Sequence, residues 1–207
     1  MPALGIQYCV PMNDKRPFEM LLTTTNKTVF STQDLQKIWR YNNYRSLIRR
    51  INYYAKTGKL VKLRLGLYAI AGIKINDFEL ANKLRTPSYI SFESVLHREG
   101  VIFQWDSRIT LAGKESTSFN INNFHAMFRQ VKDNILLNKM GIIPEENFFI
   151  ATKERAILDT LYTNPNFFFD NLSMINFYDM LEMVDLIYKV KSLEKAVKKL
   201  SRHARSQ

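Results

Sequence analysis

The feature that most constrains this chain is a change of hydrophobic period within one short stretch. Between residues 30 and 68 the apolar residues first recur at helical spacing and then alternate. Phe30-Ser31-Thr32-Gln33-Asp34-Leu35 reads as a helix start: the Ser31 hydroxyl can accept from a first-turn amide, Asp34 suits the positive end of the helix dipole, and Phe30 can staple onto Leu35. That helix runs to about Trp39. After a turn at Tyr41 and Asn42, the residues Tyr44, Leu47, Ile48, Ile51, Tyr54 and Ala55 make one stripe at helical spacing, and Gly58 ends the helix. Its opposite face collects Arg45, Ser46, Arg49, Tyr53 and Lys56, with Arg50 and Asn52 at the margins. From Val61 the period becomes two: Val61, Leu63, Leu65 and Leu67 alternate with Lys62, Arg64, Gly66 and Tyr68. This predicts a half-buried hairpin with its turn near Leu65-Gly66 and with Lys62 and Arg64 at the outward tip.

With a further helix expected around Phe18 to Thr25, the order of elements predicts a winged helix-turn-helix, which lays its second helix in a DNA major groove and its hairpin on backbone or minor groove. Charge is distributed in agreement. Of a formal net charge of +11, residues 1 to 75 carry +10, residues 76 to 187 carry −5 and residues 188 to 207 carry +6. Charge serving solubility would be spread out, whereas a polyanion-binding surface concentrates it. The expected DNA contacts are Arg45, Ser46, Arg49, Arg50, Asn52, Tyr53, Lys56, Lys62 and Arg64. A winged helix used only to dock a protein, with no operator of its own, is the alternative.

The remainder predicts a second folded region, since 46% hydrophobic residues with 7 Gly and 6 Pro argue against disorder. Glu79 to Leu84 reads as a helix, and Ser91 could cap another that ends at Gly100. Arg108 to Leu111, Thr117 to Phe119, Ala126 to Val131, Asn134 to Leu137 and Phe148 to Ile150 are β-prone and predict a small antiparallel sheet flanked by helices. Thr152 can cap a helix running to about Tyr162, with Ala156, Ile157 and Leu161 inward, and Met180, Leu181, Val184 and Ile187 predict another buried stripe. The aromatic runs 148–149 and 167–169 are expected to fill cores. Leu193, Ala196, Val197, Leu200 and Ala204 form a final stripe among Lys191, Lys195, Lys198, Lys199, Arg202 and Arg205. This tail either packs its stripe and offers Lys195, Lys198, Lys199 and Arg202 as auxiliary nucleic-acid contacts, or is a solvated end. The expected fold class is therefore α+β: a winged helix-turn-helix over 1–75, a mixed α/β domain over 76–190 and a basic tail helix over 191–207.

A single cysteine, Cys9, can form no intrachain disulfide, and neither a signal peptide nor an 18-residue apolar run is present, so a cytoplasmic protein with no membrane partner is expected. No catalytic, metal or cofactor site is expected. Glu93, His97, Glu99, Glu154 and Asp159 fall into no catalytic spacing, and Glu154 and Asp159, about 140° apart on one helix, suit capping and surface pairing instead. His97, His125 and His203 lack metal spacing, and there is no Gly-rich phosphate loop. A nuclease is the enzyme alternative, but no Glu is followed two residues later by Lys.

Four stretches, Phe30 to Leu35, Lys62 to Ala69, Pro87-Ser88-Tyr89-Ile90-Ser91-Phe92-Glu93-Ser94-Val95-Leu96 and Ala151-Thr152-Lys153-Glu154-Arg155-Ala156-Ile157-Leu158-Asp159, resemble in order and spacing the AbiEi antitoxins of bacterial type IV toxin-antitoxin systems. The resemblance spans Phe30 to Tyr162 and leaves Met1 to Lys15 and the chain beyond Phe167 unmatched. It implies a winged-helix autorepressor acting on double-stranded operator DNA of its own operon; oligomerisation on the DNA is a separate partner expectation. It also implies a carboxy-terminal antitoxin domain that counteracts a nucleotidyltransferase-like toxin without requiring a stable complex.

Overall fold

A computed structural model describes residues 16–23, 26–104 and 106–204 and divides the chain into two compact units, Met1–Lys74 and Ile75–Gln207. The expectations that fell on residues 1–15, on Thr25 and on Arg205 lie outside the described residues.

Unit 1 runs α1 (Arg16–Thr23), β1 (Val29–Ser31), α2 (Thr32–Trp39), α3 (Tyr44–Lys56), β2 (Leu60–Arg64) and β3 (Leu67–Ile70), with the antiparallel sheet order β1-β3-β2. Ser31 caps α2 as its sequence requires: its hydroxyl accepts from the Asp34 amide at 3.0 Å, and the Asp34 carboxylate accepts from the Ser31 amide at 2.9 Å. Such a cap stabilises a helix by about 1 kcal/mol. Asn43 caps α3 in turn through the Ser46 amide. The apolar stripe of α3 (Leu47, Ile51, Tyr54) closes on Leu21, Phe30, Leu35, Trp39, Leu60, Tyr68 and Ile70. The alternation expected of the hairpin is corrected: Val61 (47% exposed) and Leu65 point to solvent while Tyr68 is buried. The ladder shifts register between Lys62 and Arg64, which breaks the two-residue alternation, and β3 is the central strand and is buried along its whole length.

Unit 2 runs α4 (Asp77–Leu84), β4 (Ser88–Ile90), α5 (Glu93–Arg98), β5 (Ile109–Gly113), β6 (Thr117–Ile121), β7 (Phe124–Gln130), α6 (Asp133–Leu136), β8 (Ile142–Pro144), β9 (Phe149–Ala151), α7 (Lys153–Thr163), α8 (Phe177–Met183), a π-helical turn (Val184–Tyr188) and α9 (Lys191–Ala204). The small antiparallel sheet expected here is corrected to a six-stranded mixed sheet, order β6-β7-β5-β4-β9-β8, in which β4 with β9 and β5 with β7 run parallel. Parallel partners are not joined by a tight turn and so leave no turn signature, and β4 and β9 also lie far apart in sequence. Asn134 to Leu137 is likewise corrected from strand-like to mostly helical, with Asp133 in the first turn. Ser91 is no helix cap, because α5 starts after Phe92 (φ 57°) and Ser91 donates its hydroxyl to Asp159 at 2.8 Å. The chain therefore mixes α and β, with one small antiparallel sheet and one larger mixed sheet.

Thr152 caps α7, accepting from the Arg155 amide. This helix is buried from Glu154 to Leu161, so the surface pairing expected of Glu154 and Asp159 is corrected. Asp159 accepts hydrogen bonds from Tyr188 at 2.5 Å, Ser91 at 2.8 Å and Tyr89 at 3.0 Å. Arg155, four residues earlier, donates to the Ile135 and Met140 carbonyls and to the Tyr89 hydroxyl, and its Nε lies 3.5 Å from Asp159. Burial pushes the Asp159 carboxyl above its ordinary range against the pull of Arg155 and the three hydroxyls, and it pushes both phenols well above theirs, which keeps them donors. The tail is no separate domain: α9 buries Leu193 and Val197 and packs on α7, α8 and the π-helical turn. The aromatic runs are split, with Phe148 and Phe169 buried but Phe149 and Phe168 exposed.

Candidate nucleic-acid interface

Helix α3 sorts its polar residues by angle. At 100° per residue, Arg45, Arg49, Asn52 and Lys56 fall within roughly 60° of arc, and the sector lies opposite the Leu47, Ile51 and Tyr54 stripe. All four are exposed. Ser46 and Tyr53 lie roughly 80° to 100° from Arg45 on the shoulder of the sector, and both are half-buried; the Tyr53 ring is tilted against Tyr54 at 5.5 Å. Among the described residues no carboxylate pairs with Arg45, Arg49, Lys56 or Lys62. The sector thus offers three cations and one amide, the donor set that reads phosphates and base edges.

Arg50 does not belong to this surface, and its assignment as a DNA contact is corrected. It is 3% exposed, donates from Nε to the Tyr41 hydroxyl at 3.1 Å and lies 5.8 Å above the Tyr54 ring. The physical reason is angular: Arg50 stands roughly 140° from Arg45 but only about 60° from Leu47, so its stem enters the core margin. The signal was available in the helical spacing.

Strand β2 packs on α3 and carries Lys62 and Arg64 on exposed positions leading to the hairpin turn. That turn is tied down: the Thr32 amide, at the start of α2, donates to the Gly66 carbonyl at 3.0 Å. Gly66 has a φ of +79°, which an L side chain adopts only with strain. Sequence reasoning missed both this brace and the Asn43 cap. An Asn before an apolar helical stripe was the signal for the cap, but nothing local marks a Thr32–Gly66 contact.

Unit 2 arranges its cations differently. Lys191, Lys195, Lys198 and Arg202 share one exposed sector of α9, with Lys199 beside it; Lys198 is paired to Glu194 at 2.5 Å, which holds that carboxyl below its ordinary range. A cleft of about 740 Å³ contains Arg108 and Arg129, but both are engaged, Arg108 by Asp106 and Arg129 by Glu93 at 2.7 Å. Among the described residues no group of three or more His, Cys, Asp or Glu is disposed to hold a metal ion, and no helix is long and apolar enough to cross a membrane.

No family model matches this chain, and no curated protein matches it. Among solved structures, the crystal structure of the RV2827C protein from Mycobacterium tuberculosis is similar over 89% of this chain and 71% of that chain, at 14% identity and a TM-score of 0.47. A likeness at this level carries no argument about function.

Proposed function

We propose that unit 1 is a winged helix-turn-helix that binds duplex DNA, with α3 in the major groove and the β2–β3 hairpin on an adjacent backbone or in the minor groove. The observation that carries this reading is the outward sector of α3, where Arg45, Arg49, Asn52 and Lys56 stand in line, exposed and without acidic partners among the described residues, beside a basic hairpin. Cations so placed release counterions from phosphates, so affinity falls steeply with salt. The test is an electrophoretic shift on DNA from upstream of its own gene. If about six to eight phosphates are neutralised, affinity drops by about a thousandfold or more between about 50 and 200 mM salt. Charge reversal by Arg45→Glu with Arg49→Glu abolishes the shift while leaving the thermal unfolding of the protein unchanged. Salt-insensitive binding overturns the reading.

The resemblance to the AbiEi antitoxins extends it: the chain represses its own operon and counteracts a nucleotidyltransferase-like toxin through unit 2, without needing a stable complex. Under that extension the charge-reversed variant loses repression and still rescues cells expressing the toxin. The competing reading, a platform for docking protein, draws on the exposed Tyr44, Val61 and Leu65 around the cations. It requires wild-type protein to leave that DNA unshifted.

A further inference from the structure

The side chain at the tip of the hairpin is unused by a purely cationic interface. Leu65 is 85% exposed, more than any other large apolar residue among those described. An exposed leucine is ordinary in itself, but three features distinguish this one. It occupies the tip of a two-residue turn, Leu65-Gly66, so it projects beyond the last ladder pair, Arg64 with Leu67. The turn is braced, because the Gly66 carbonyl accepts from the Thr32 amide at 3.0 Å and from the Thr32 hydroxyl at 3.4 Å, which ties the tip to the first turn of α2. The strand leading to it places Lys62 and Arg64 on exposed positions, with the ladder shifting register between them.

A braced apolar tip flanked by cations is the composition of a wedge: the cations hold phosphates while the apolar group enters between base pairs, unstacks them and bends the duplex. We propose that Leu65 inserts between base pairs from the minor groove and bends the DNA at the edge of the site. This inference rests on the DNA-binding reading of unit 1. Its energetic signature differs from that of the α3 cations, since an apolar insertion releases no counterions and leaves the salt dependence unchanged.

The experiment uses the full chain and a duplex from upstream of its own gene, labelled at its two ends with donor and acceptor dyes. Wild-type protein shortens the end-to-end distance. Leu65→Ala binds about tenfold more weakly, as expected for losing the burial of a leucine side chain, keeps the salt slope and no longer bends the duplex. Leu65→Met restores the bend. Three results with the Leu65→Ala variant overturn the wedge: a complex bent like the wild type, a lowered salt slope, or a change in the mass of the free protein by light scattering, which assigns Leu65 to a protein contact. Wild-type protein that shifts the duplex without bending it sinks the wedge alone, whereas wild-type protein that fails to shift it sinks the DNA-binding reading as well.

Discussion

Helices α3 and α7 both place arginines beside apolar residues and use them in opposite ways. In α3 the apolar residues keep to one side, so Arg45 and Arg49 face solvent with no carboxylate among the described residues to satisfy them. In α7 the residues from Glu154 to Leu161 are buried, and Arg155 is wholly enclosed with carbonyls, phenols and Asp159 around it. A buried guanidinium needs partners from its own fold, because desolvation without them costs several kcal/mol, on the order of that for any buried ion. Arg155 finds hydrogen-bond acceptors at both terminal nitrogens, while its Nε makes no hydrogen bond and faces Asp159 at 3.5 Å. An exposed one, solvated by water, stays available to phosphate. The difference teaches that Lys and Arg content alone does not locate a binding surface; the angular position of each cation relative to the apolar stripe does.

The contrast breaks first at Arg155. Arg155→Met leaves Asp159 buried without its counter-charge and should destabilise unit 2 by about 3–5 kcal/mol, measured by urea unfolding. Burial already raises the folded pKa of Asp159, and loss of the arginine raises it further. A carboxyl with a raised folded pKa contributes stability that is present below its unfolded value, near about 4, and lost as pH rises through the folded one. The variant's deficit is therefore smallest in acid and grows toward neutral pH; a deficit independent of pH would mean that Arg155 acts by packing alone. Adding Asp159→Asn should recover part of the loss.

Close packing around α7 gives the next effect. A Cβ on Gly141 would lie 2.9 Å from the Met183 sulfur and 3.0 Å from Arg155 Cβ, at a φ of +72°. Gly141→Ala should cost about 1–3 kcal/mol, read from the thermal midpoint, with DNA affinity unchanged.

The finest division lies within α3 itself, between neighbours. Arg49→Ala should leave stability within about 0.5 kcal/mol and reduce the salt slope of DNA binding by about one. Arg50→Ala should do the reverse, weakening unit 1 by about 1–2 kcal/mol as the Tyr41 hydrogen bond and stem packing go, with the salt slope intact. Equal effects from the two substitutions would erase the distinction between the faces.

Legibility followed the range of the interactions. The Ser31 cap, the stripe of α3, the Gly66 turn and the Thr152 cap were readable because each is set within a few residues. Arg50 was misassigned although its position beside Leu47 on the helical wheel pointed inward. For α7 the run Ala156-Ile157-Leu158 followed by Leu161 left no continuous polar side, a sign of burial that an i,i+4 Arg155–Asp159 pair concealed. Nothing local announced that β4 would lie parallel to β9, sixty residues away by the Ile90–Ile150 pairing.

The sequence alone determined where helices begin, which residues line the stripe of α3 and where positive charge accumulates, since capping, periodicity and charge are properties of neighbours along the chain. Only the tertiary structure decided the parallel strand order, the partners that enclose Arg155 and Asp159, and the bracing of the Leu65 tip. Those outcomes depend on which distant segments exclude water together, and burial is set by three-dimensional neighbours rather than by the residues on either side.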